Sequence, residues 1–545
     1  MITAGHMPLL AAFVLASAAV AATLHVPGEY PDIPAAITAA SDGDTVLVSP
    51  GTYGGPVGFQ GKNILLRSVA GPDQTVINTF WDFHAVMFTG AEDSTAVLEG
   101  FTVSNNYPGT RQAGRDIVEH GGGIYINGSS PTIRNNIVYR SVAHEGGGIY
   151  ATASSALIED CEIWDCNTTG GPGGGVFLHS SGDAGPYRLI GCDIHDNEGS
   201  GGAGIRVSTS HVEIVGNRID SNIGGGGGGI LMGCDSALVC GNAITGNNGG
   251  HHGGGIYIDE GTVTLIGNVI AENHASSSGG GIYEKSTGAV ELINNTVAMN
   301  YTDYGNTYGG GMITGNDSTF IENSIFWGNE STNGSQLCVT GLYSPGYADI
   351  SYCDIQGGLD FIYAEPDSMS EISWGPGNID VDPQFETGPL SDYHLAWGSP
   401  CIDAGNPSPE HYDPEDPINP GYALWPAMGT LLNDMGAYGG GGVGYWLAVD
   451  DPEDPSPPPS GARLRVFPNP FTATCTVCFE LDKASHVSID VYDLSGRLVE
   501  RIFDREAGPG DHAAWLDGSG LPAGVYVVRV VAGEAAYTER CVLLR

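Results

Sequence analysis

The chain has 545 residues, 85 of them glycine, and a formal net charge of −44 from 19 Lys and Arg against 63 Asp and Glu. This charge argues against nucleic acid as a partner, because nucleic-acid binding needs a basic surface. It also disfavours acidic polysaccharides, unless Ca²⁺ bridges the two negative surfaces. The glycines follow no every-third-residue pattern, which excludes collagen.

Residues 1–22 are predicted to be a secretory signal peptide. The stretch Pro8–Ala22 is apolar and rich in small residues, and Ala19-Val20-Ala21 fits a small-x-small cleavage site. This stretch is too short to span a membrane, and no other segment is long and apolar enough to do so. We therefore expect a secreted or cell-surface protein without a transmembrane segment.

A phrase of the type GGGIY repeats along the middle of the chain. Its first apolar residue falls at Ile124, Ile149, Val176, Ile205, Ile230, Ile256, Ile282 and Met312. A period of this size indicates a solenoid of stacked units. The apolar runs are short, rich in Ile and Val, and separated by Gly, Asn, Asp and Ser, which is typical of strands and turns.

A second phrase follows each GGGIY and reads apolar-x-x-(Asn/Cys)-x-(Ile/Val). Its polar position is assigned to Asn135, Cys161, Cys192, Asn217, Asn242, Asn268, Asn295, Asn323 and Cys353, and a second polar column to Cys166, Asn197, Asn222, Asn247, Asn273 and Asn300. Successive coils pair about 4.8 Å apart, so equivalent Asn side chains can hydrogen bond along a stack. Cys fills the same position as a small packing residue. A Cys161–Cys192 disulfide stays open at this stage.

The middle residue of each GGGIY phrase is expected to point away from the core, because side chains alternate along a strand. The aromatic members of this set, which we call the Tyr column, are Tyr125, Tyr150, Phe177, Tyr257 and Tyr283. One interpretation is a platform for sugar rings. The other is cross-strand stacking that stabilises the sheet under a cover of loops.

Ionisable residues precede the first two GGGIY phrases. Glu119 and His120 come before the first, and His144 and Glu145 before the second. Stacking of the coils predicts that the four side chains meet at one edge. They are candidates for general acid/base catalysis or metal binding, and the alternative is a solvated loop.

Residues 23–445 resemble the right-handed parallel β-helix proteins of the pectin-lyase-like superfamily. The opening LHVPGEYPDIPAAITAASDGDTVLVSPGTY is similar to the N-terminal cap of that group, and Pro34–Ser41 would form its capping helix. The closing DVDPQFETGPLSDYHLAWGSPCIDAGNP and NDMGAYGG resemble the C-terminal end of bacterial members. The resemblance implies an all-β fold of about 10–12 coils. The NTD, DD, GHG and RxK motifs of the related hydrolases are absent as a set, so enzymatic activity stays open.

Residues 446–462 are predicted to be an extended linker, because Asp450–Ser460 is rich in Pro and acidic residues. Residues 463–545, with RVFPNPF, VSIDVYDLSGRLV and LPAGVYVVRVVAGEAAYTERCVLLR, resemble the C-terminal sorting domain of bacterial secreted proteins, an Ig-like β-sandwich. The resemblance implies that this domain engages a type IX secretion machinery. One pair among Cys475, Cys478 and Cys541 is predicted to be able to bridge strands.

Taken together, the sequence predicts an exported, monomeric β-helix protein that binds polysaccharide. A polysaccharide lyase or glycoside hydrolase working at the His120–Glu145 edge is the first alternative, and a structural or adhesion protein is the second. No cofactor is predicted, although Ca²⁺ is kept as a candidate ligand.

Overall fold

The computed structural model describes residues 21–80, 83–105, 118–180, 185–285, 288–303, 305–315, 318–341, 345–365, 370–386, 393–415, 421–440, 464–467, 474–481, 485–493, 497–508, 510–522, 524–532 and 535–543. The predicted linker at 446–462 lies outside the described residues. So does the predicted signal peptide, apart from residues 21 and 22.

Residues 23–374 form a parallel β-solenoid whose coils contribute short strands to three faces. The GGGIY phrases start the eight strands of the first face from Ile124 to Met312. The strands of this face are Val57–Gly58, Val86–Phe88, Ile124–Asn127, Ile149–Thr152, Val176–His179, Ile205–Val215, Ile230–Cys240, Ile256–Ile266, Ile282–Glu284, Met312–Thr314, Leu337–Val339 and Ile362–Ala364. The three longest of these strands continue onto the second face. The other second-face strands are Thr23–Val26, Thr45–Val48, Leu65–Ser68, Val97–Glu99, Thr132–Arg134, Leu157–Glu159, Tyr187–Ile190, Val290–Ile293, Thr319–Glu322, Tyr347–Ser351 and Glu371–Trp374.

The third face is a separate sheet of twelve parallel strands. They are Gly51–Gly54, Thr75–Asn78, Thr102–Ser104, Ile137–Tyr139, Glu162–Trp164, Asp193–His195, Arg218–Asp220, Ala243–Thr245, Val269–Ala271, Thr296–Ala298, Ile325–Trp327 and Asp354–Ile355. Two-residue strands extend the coils at Val142–Ala143, Asn167–Thr168, Glu198–Gly199, Ile223–Gly224, His274–Ala275 and Tyr301–Thr302. These twelve coils confirm the predicted fold class and the predicted 10–12 coils.

The helix Ile33–Ala39 covers the N-terminal end of the solenoid core, close to the predicted Pro34–Ser41. The Asp32 side chain caps it by accepting a hydrogen bond from the Ala35 N–H at 2.8 Å. Its apolar side, Ile33 and Ile37, is fully buried in the core. Short 3₁₀ turns occur at Pro72–Gln74, Gly358–Phe361, Pro409–His411 and Gly518–Gly520.

Two Asn ladders run along the solenoid as the sequence predicts. The Asn242 side chain shows the pattern: its Oδ1 accepts from the backbone N–H and the Nδ2 of Asn217, and its Nδ2 donates to the Ile214 carbonyl and to Asn268 Oδ1. Cys161 and Cys192 occupy the same ladder as buried free thiols that donate to backbone carbonyls.

Two ladder assignments from the sequence were wrong. The ladder residues are Asn136 and Ser324, whereas Asn135 and Asn323 each precede them with a φ of +52°. Where two polar residues are adjacent, the first makes the left-handed turn and the second enters the ladder. Asn tolerates this backbone conformation better than most residues.

The third glycine of each GGGIY phrase lies against the next coil. A Cβ atom added to Gly148 would stand 2.5 Å from the carbonyl oxygen of Gly175. We expect Gly148→Ala to lower the free energy of unfolding by about 1–3 kcal/mol, because the coils would have to separate. Gly233→Ala is the matched control, since no atom lies within 4 Å of its added Cβ, and chemical denaturation would measure both. Equal stability of the two variants would contradict this account of the triplet.

Residues 375–440 fold back onto the C-terminal half of the third face. Tyr393 and Tyr438 pack on the small outward side chains Ala271 and Ala298. Further along, Leu395, Cys401, Met428 and Met435 pack on Ile325. The segment includes the antiparallel pair Phe385–Glu386 and His394–Leu395. These contacts lie on the coils from Val269 onward, with Ala243 of the preceding coil at their edge.

The C-terminal residues form two antiparallel sheets around one core, as predicted for a small β-sandwich. One sheet contains Leu464–Phe467, Thr474–Leu481 and Gly510–Asp517. The other contains Leu498–Ala507, Ser485–Asp493, Gly524–Ala532 and Ala535–Leu543. Side chains from both sheets share a buried cluster that includes Val477, Phe479, Ile489 and Val528.

Candidate functional site

The Tyr column is in register on the first face. Tyr125 pairs with Tyr150, Tyr150 with Phe177, and Tyr257 with Tyr283. Ring centroids lie 6.0 Å apart for the first pair, 5.2 Å for the second and 4.8 Å for the third. The repeat thus places these rings side by side along the solenoid axis.

Loop imidazoles cover much of this column. His84 stacks on Tyr125 with centroids 4.6 Å apart, and His120 stacks on Tyr150 at 4.4 Å. Tyr150, Phe177 and Tyr283 are only 5–7% exposed. Loop cover, the second of the two interpretations, therefore applies to Tyr150 and Tyr283, where the imidazoles of His120 and His252 stack on the rings. Ligand contact stays a prediction for all five rings of the column, of which Tyr125 and Tyr257 are half-buried.

The predicted ionisable edge is only partly brought together. His120 and Glu145 are bridged across adjacent coils, and His120 Nδ1 lies 3.2 Å from Glu145 Oε2. Glu119 and His144 are exposed, and no ion pair or side-chain hydrogen bond joins them to another described residue. Burial, with a contribution from Glu145, raises the pKa of Tyr150 to about 12, so its hydroxyl stays protonated.

A different aromatic row lies on the third face, on coils that precede those on which the C-terminal segment packs. Tyr139, Trp164 and His195 occupy equivalent positions on three consecutive coils. Their rings stack with centroids 5.4 Å and 5.9 Å apart, and the planes of Trp164 and His195 differ by only 4°. All three side chains are half-buried on the outward side of a sheet whose inward residues form the core. We call this row the Trp164 strip.

Charged groups flank the Trp164 strip. Glu162, Asp193 and Arg218 occupy equivalent positions on three consecutive strands, in the column beside the strip. Glu162 Oε1 lies 3.4 Å from His195 Nε2, and Arg218 Nε lies 3.1 Å from Asp220 Oδ1. Side-chain exposure ranges from 17% for Asp220 to 53% for Arg218, so water-accessible donors and acceptors surround the rings.

Electrostatics tie His195 into this network. Burial acts to lower the pKa of His195, but the carboxylates of Asp196, Asp193 and Glu162 outweigh it and raise that pKa. Burial raises the pKa of Asp193, against the opposing charge of Arg218. The imidazole of His195 in the strip and the carboxyl of Asp193 beside it therefore have pKa values that depend on their neighbours.

A second exposed aromatic group lies in the C-terminal segment. Trp397, Tyr422 and Trp425 line a groove of about 410 Å³, and Trp397 is 79% exposed. Trp425 stacks on the buried His394 with centroids 4.4 Å apart. Burial lowers the pKa of His394 to about 4, so this imidazole is neutral near pH 7 and packs as an aromatic ring.

Two family models match the chain. Residues 78–251 match the right handed beta helix region, and residues 465–544 match the secretion system C-terminal sorting domain. The protein is a right-handed β-helix protein with a type IX sorting domain. A comparison with curated proteins finds no match.

The sorting domain makes this β-helix protein an exported one, destined for the cell surface or the medium. None of the helices in the described part of the chain has the length and apolar character needed to cross a membrane. The matched β-helix region contains the Trp164 strip, the first part of the Tyr column and the His120–Glu145 contact.

The Trp164 strip was missed from the sequence although it has a regular signal. Tyr139, Trp164 and His195 each lie three residues after a ladder residue, at Asn136, Cys161 and Cys192. As for metals, no group of three or more His, Cys, Asp or Glu side chains within the described ranges is placed to hold an ion, and Ca²⁺ stays a prediction.

Proposed function

We propose that the exported β-helix binds a neutral polysaccharide along the Trp164 strip. The observation that carries this proposal is the stack of three half-exposed rings on consecutive coils, 5.4 Å and 5.9 Å apart. Aromatic rings offer flat apolar area with little side-chain entropy to lose, and the apolar faces of sugar rings pack against such surfaces. A row along the solenoid axis suits an extended chain better than a single sugar.

Polar groups beside the rings supply the hydrogen bonds that a sugar needs. Glu162 and Asp193 offer acceptors, and Arg218 offers donors, next to the aromatic row. The same carboxylates, in a protein with a net charge of −44, repel acidic polymers. A neutral chain with many hydroxyl groups is therefore the ligand that this surface favours.

The outward residues of the third face change in character along the solenoid, which supports a ligand site at one end of that face. Its outward residues are aromatic and charged from Tyr139 to Asp220, and small or apolar from Val269 to Trp327. The small residues are those on which the C-terminal segment packs. The aromatic side chains of Tyr139, Trp164 and His195 are half-exposed and are therefore available to a ligand.

Affinity electrophoresis through gels that contain neutral or acidic polysaccharides tests the proposal. We expect Trp164→Ala to weaken binding to a neutral polysaccharide at least about tenfold, because it removes the central ring. Tyr301→Ala is the matched control: Tyr301 is 45% exposed and stacks on His274 at 4.7 Å, but lies outside the strip. We expect its binding to match that of the unmodified protein.

Other outcomes separate the remaining hypotheses. Absence of binding to every polysaccharide would favour the structural or adhesion role. Binding that survives Trp164→Ala but is lost in a Tyr125→Ala/Tyr257→Ala variant would return the site to the Tyr column. Loss only in Trp397→Ala would assign it to the C-terminal groove.

A second candidate function is polysaccharide cleavage at His120 and Glu145. The 3.2 Å distance between His120 Nδ1 and Glu145 Oε2 favours it, because a nearby carboxylate stabilises the charged imidazole that forms when the ring accepts a proton. Release of reducing ends, and absorbance from unsaturated products, would detect hydrolysis and elimination. We expect any such activity to be lost in His120→Ala/Glu145→Gln protein. Activity that persists in this variant would contradict the assignment.

A further inference from the structure

Two cysteines face each other across the core of the sorting domain. Cys475 lies in Thr474–Leu481, in the three-stranded sheet, and Cys541 lies in Ala535–Leu543, in the four-stranded sheet. Both are at most 1% exposed and belong to the same buried cluster. The strand Leu464–Phe467 of the first sheet also contacts Ala535–Leu543, so the two sheets approach each other at this edge.

The two thiols are in direct contact. The hydrogen bond between their side chains lowers the pKa of Cys475, against the effect of burial. Cys353 of the β-helix has different partners: it donates to the carbonyls of Ser351 and Ile321, and burial raises its pKa to about 12. Cys475 is thus the thiol more readily converted to the reactive thiolate.

We propose that Cys475 and Cys541 form a disulfide that joins the two sheets of the sorting domain after export. Exported proteins enter compartments where disulfides persist. The chain supplies two thiols, and the oxidant is a protein or small-molecule disulfide of that compartment. The Cys475 thiolate attacks one sulfur of the oxidant and releases the other as a thiol. The Cys541 thiolate then attacks the mixed disulfide, so the protein loses two electrons and two protons while the oxidant becomes two thiols.

Such a bond would constrain nearly the whole sorting domain, because it connects its second strand to its last. A cross-link stabilises a fold mainly by restricting the unfolded chain. Inside the cell, where thiols stay reduced, the domain would lack this constraint. Oxidation would therefore make the exported domain more rigid than the form synthesised in the cytoplasm.

Peptide mapping of the exported full-length chain tests the linkage directly. The protein is unfolded in denaturant with iodoacetamide and without reductant, digested, and analysed by mass spectrometry. We expect a peptide pair joined through Cys475 and Cys541 that separates on reduction, while Cys353 and Cys401 are alkylated. Alkylation of both Cys475 and Cys541, or a link from either of them to Cys478, would overturn the proposal.

Hydrogen exchange of the full chain provides a second measurement. We expect reduction of the unmodified protein to speed exchange of core amides in residues 485–493 and 524–532 at least about thirtyfold. Cys475→Ala/Cys541→Ala protein should exchange like the reduced protein and should not respond to reductant. If reduction leaves exchange in the unmodified protein unchanged, the proposed stabilising role is wrong, whatever the fold of the variant.

Discussion

Replacement of Asn242 with leucine is expected to lower the free energy of unfolding by about 3–5 kcal/mol. The side chain is fully buried and takes part in four hydrogen bonds that connect three coils. Leucine has the same branching at Cγ, but it neither donates nor accepts a hydrogen bond. The Asn217 backbone N–H, the Ile214 carbonyl and Asn268 Oδ1 would each lose a partner in a place that water does not reach.

Chemical denaturation followed by circular dichroism measures this loss. Asn127→Leu is the control, because Asn127 is exposed at the end of a first-face strand, and we expect a change within about 0.5 kcal/mol. Hydrogen exchange should locate the damage in the coils of Asn217, Asn242 and Asn268, since each repeat contacts only its neighbours. Unchanged stability, or loosening spread evenly over the solenoid, would contradict the role assigned to the ladder.

The repeat made the register of the solenoid predictable. A residue type that returns every 25–30 positions must stack on itself once each repeat is one coil, and Ile124, Ile149 and Val176 do pair strand to strand. The Asn ladder followed from the same logic, because a buried amide is tolerated only where it finds partners. The ladder errors at Asn135 and Asn323 arose where two polar residues are adjacent and periodicity does not choose between them.

Features outside the repeat were not predictable in this way. Loop residues such as His84 and His252 cover Tyr125 and Tyr283, and their positions depend on loop conformations that vary from coil to coil. The fold-back of residues 375–440 depends on tertiary packing against Ala271 and Ala298. For this reason the sequence did not predict the half-exposed aromatic row on the third face. The exposure of each face depends on loops and on a C-terminal segment that lie outside the repeat.

Two buried aspartates hold this fold-back segment together. Asp434 Oδ1 accepts from the Asp403 N–H and its Oδ2 from the Met428 N–H, each at 2.7 Å. Asp413 accepts from the backbone N–H groups of Asp434 and Gly440. Both side chains are at most 4% exposed. Asp413 Oδ2 receives only a longer hydrogen bond, at 3.2 Å from the Asp434 N–H, so Asp413 is the better place for a proton.

The pair is expected to make the protein less stable as the pH rises. Burial raises the pKa of Asp413 to about 9, with a further contribution from the charge of Asp434, and burial raises that of Asp434 to about 7. An unfolded aspartate titrates near about 3.9. Between about pH 4 and pH 9 the folded protein thus holds protons that the unfolded chain has lost, so the free energy of unfolding falls across this window.

Asparagine substitutions at Asp413 and Asp434 are expected to change the free energy of unfolding in opposite directions at alkaline pH. Asp413→Asn mimics the protonated form, so at pH 9 it should be more stable than the unmodified protein by more than about 1 kcal/mol, and near it at pH 5. Asp434→Asn should lose about 2–4 kcal/mol at both pH values, because its amide nitrogen would face a backbone N–H that needs an acceptor. Denaturation curves from pH 5 to pH 9 measure both. If Asp413→Asn protein kept the pH dependence of the unmodified protein, Asp413 would not carry the extra proton, and the fold-back segment would owe its stability to packing alone.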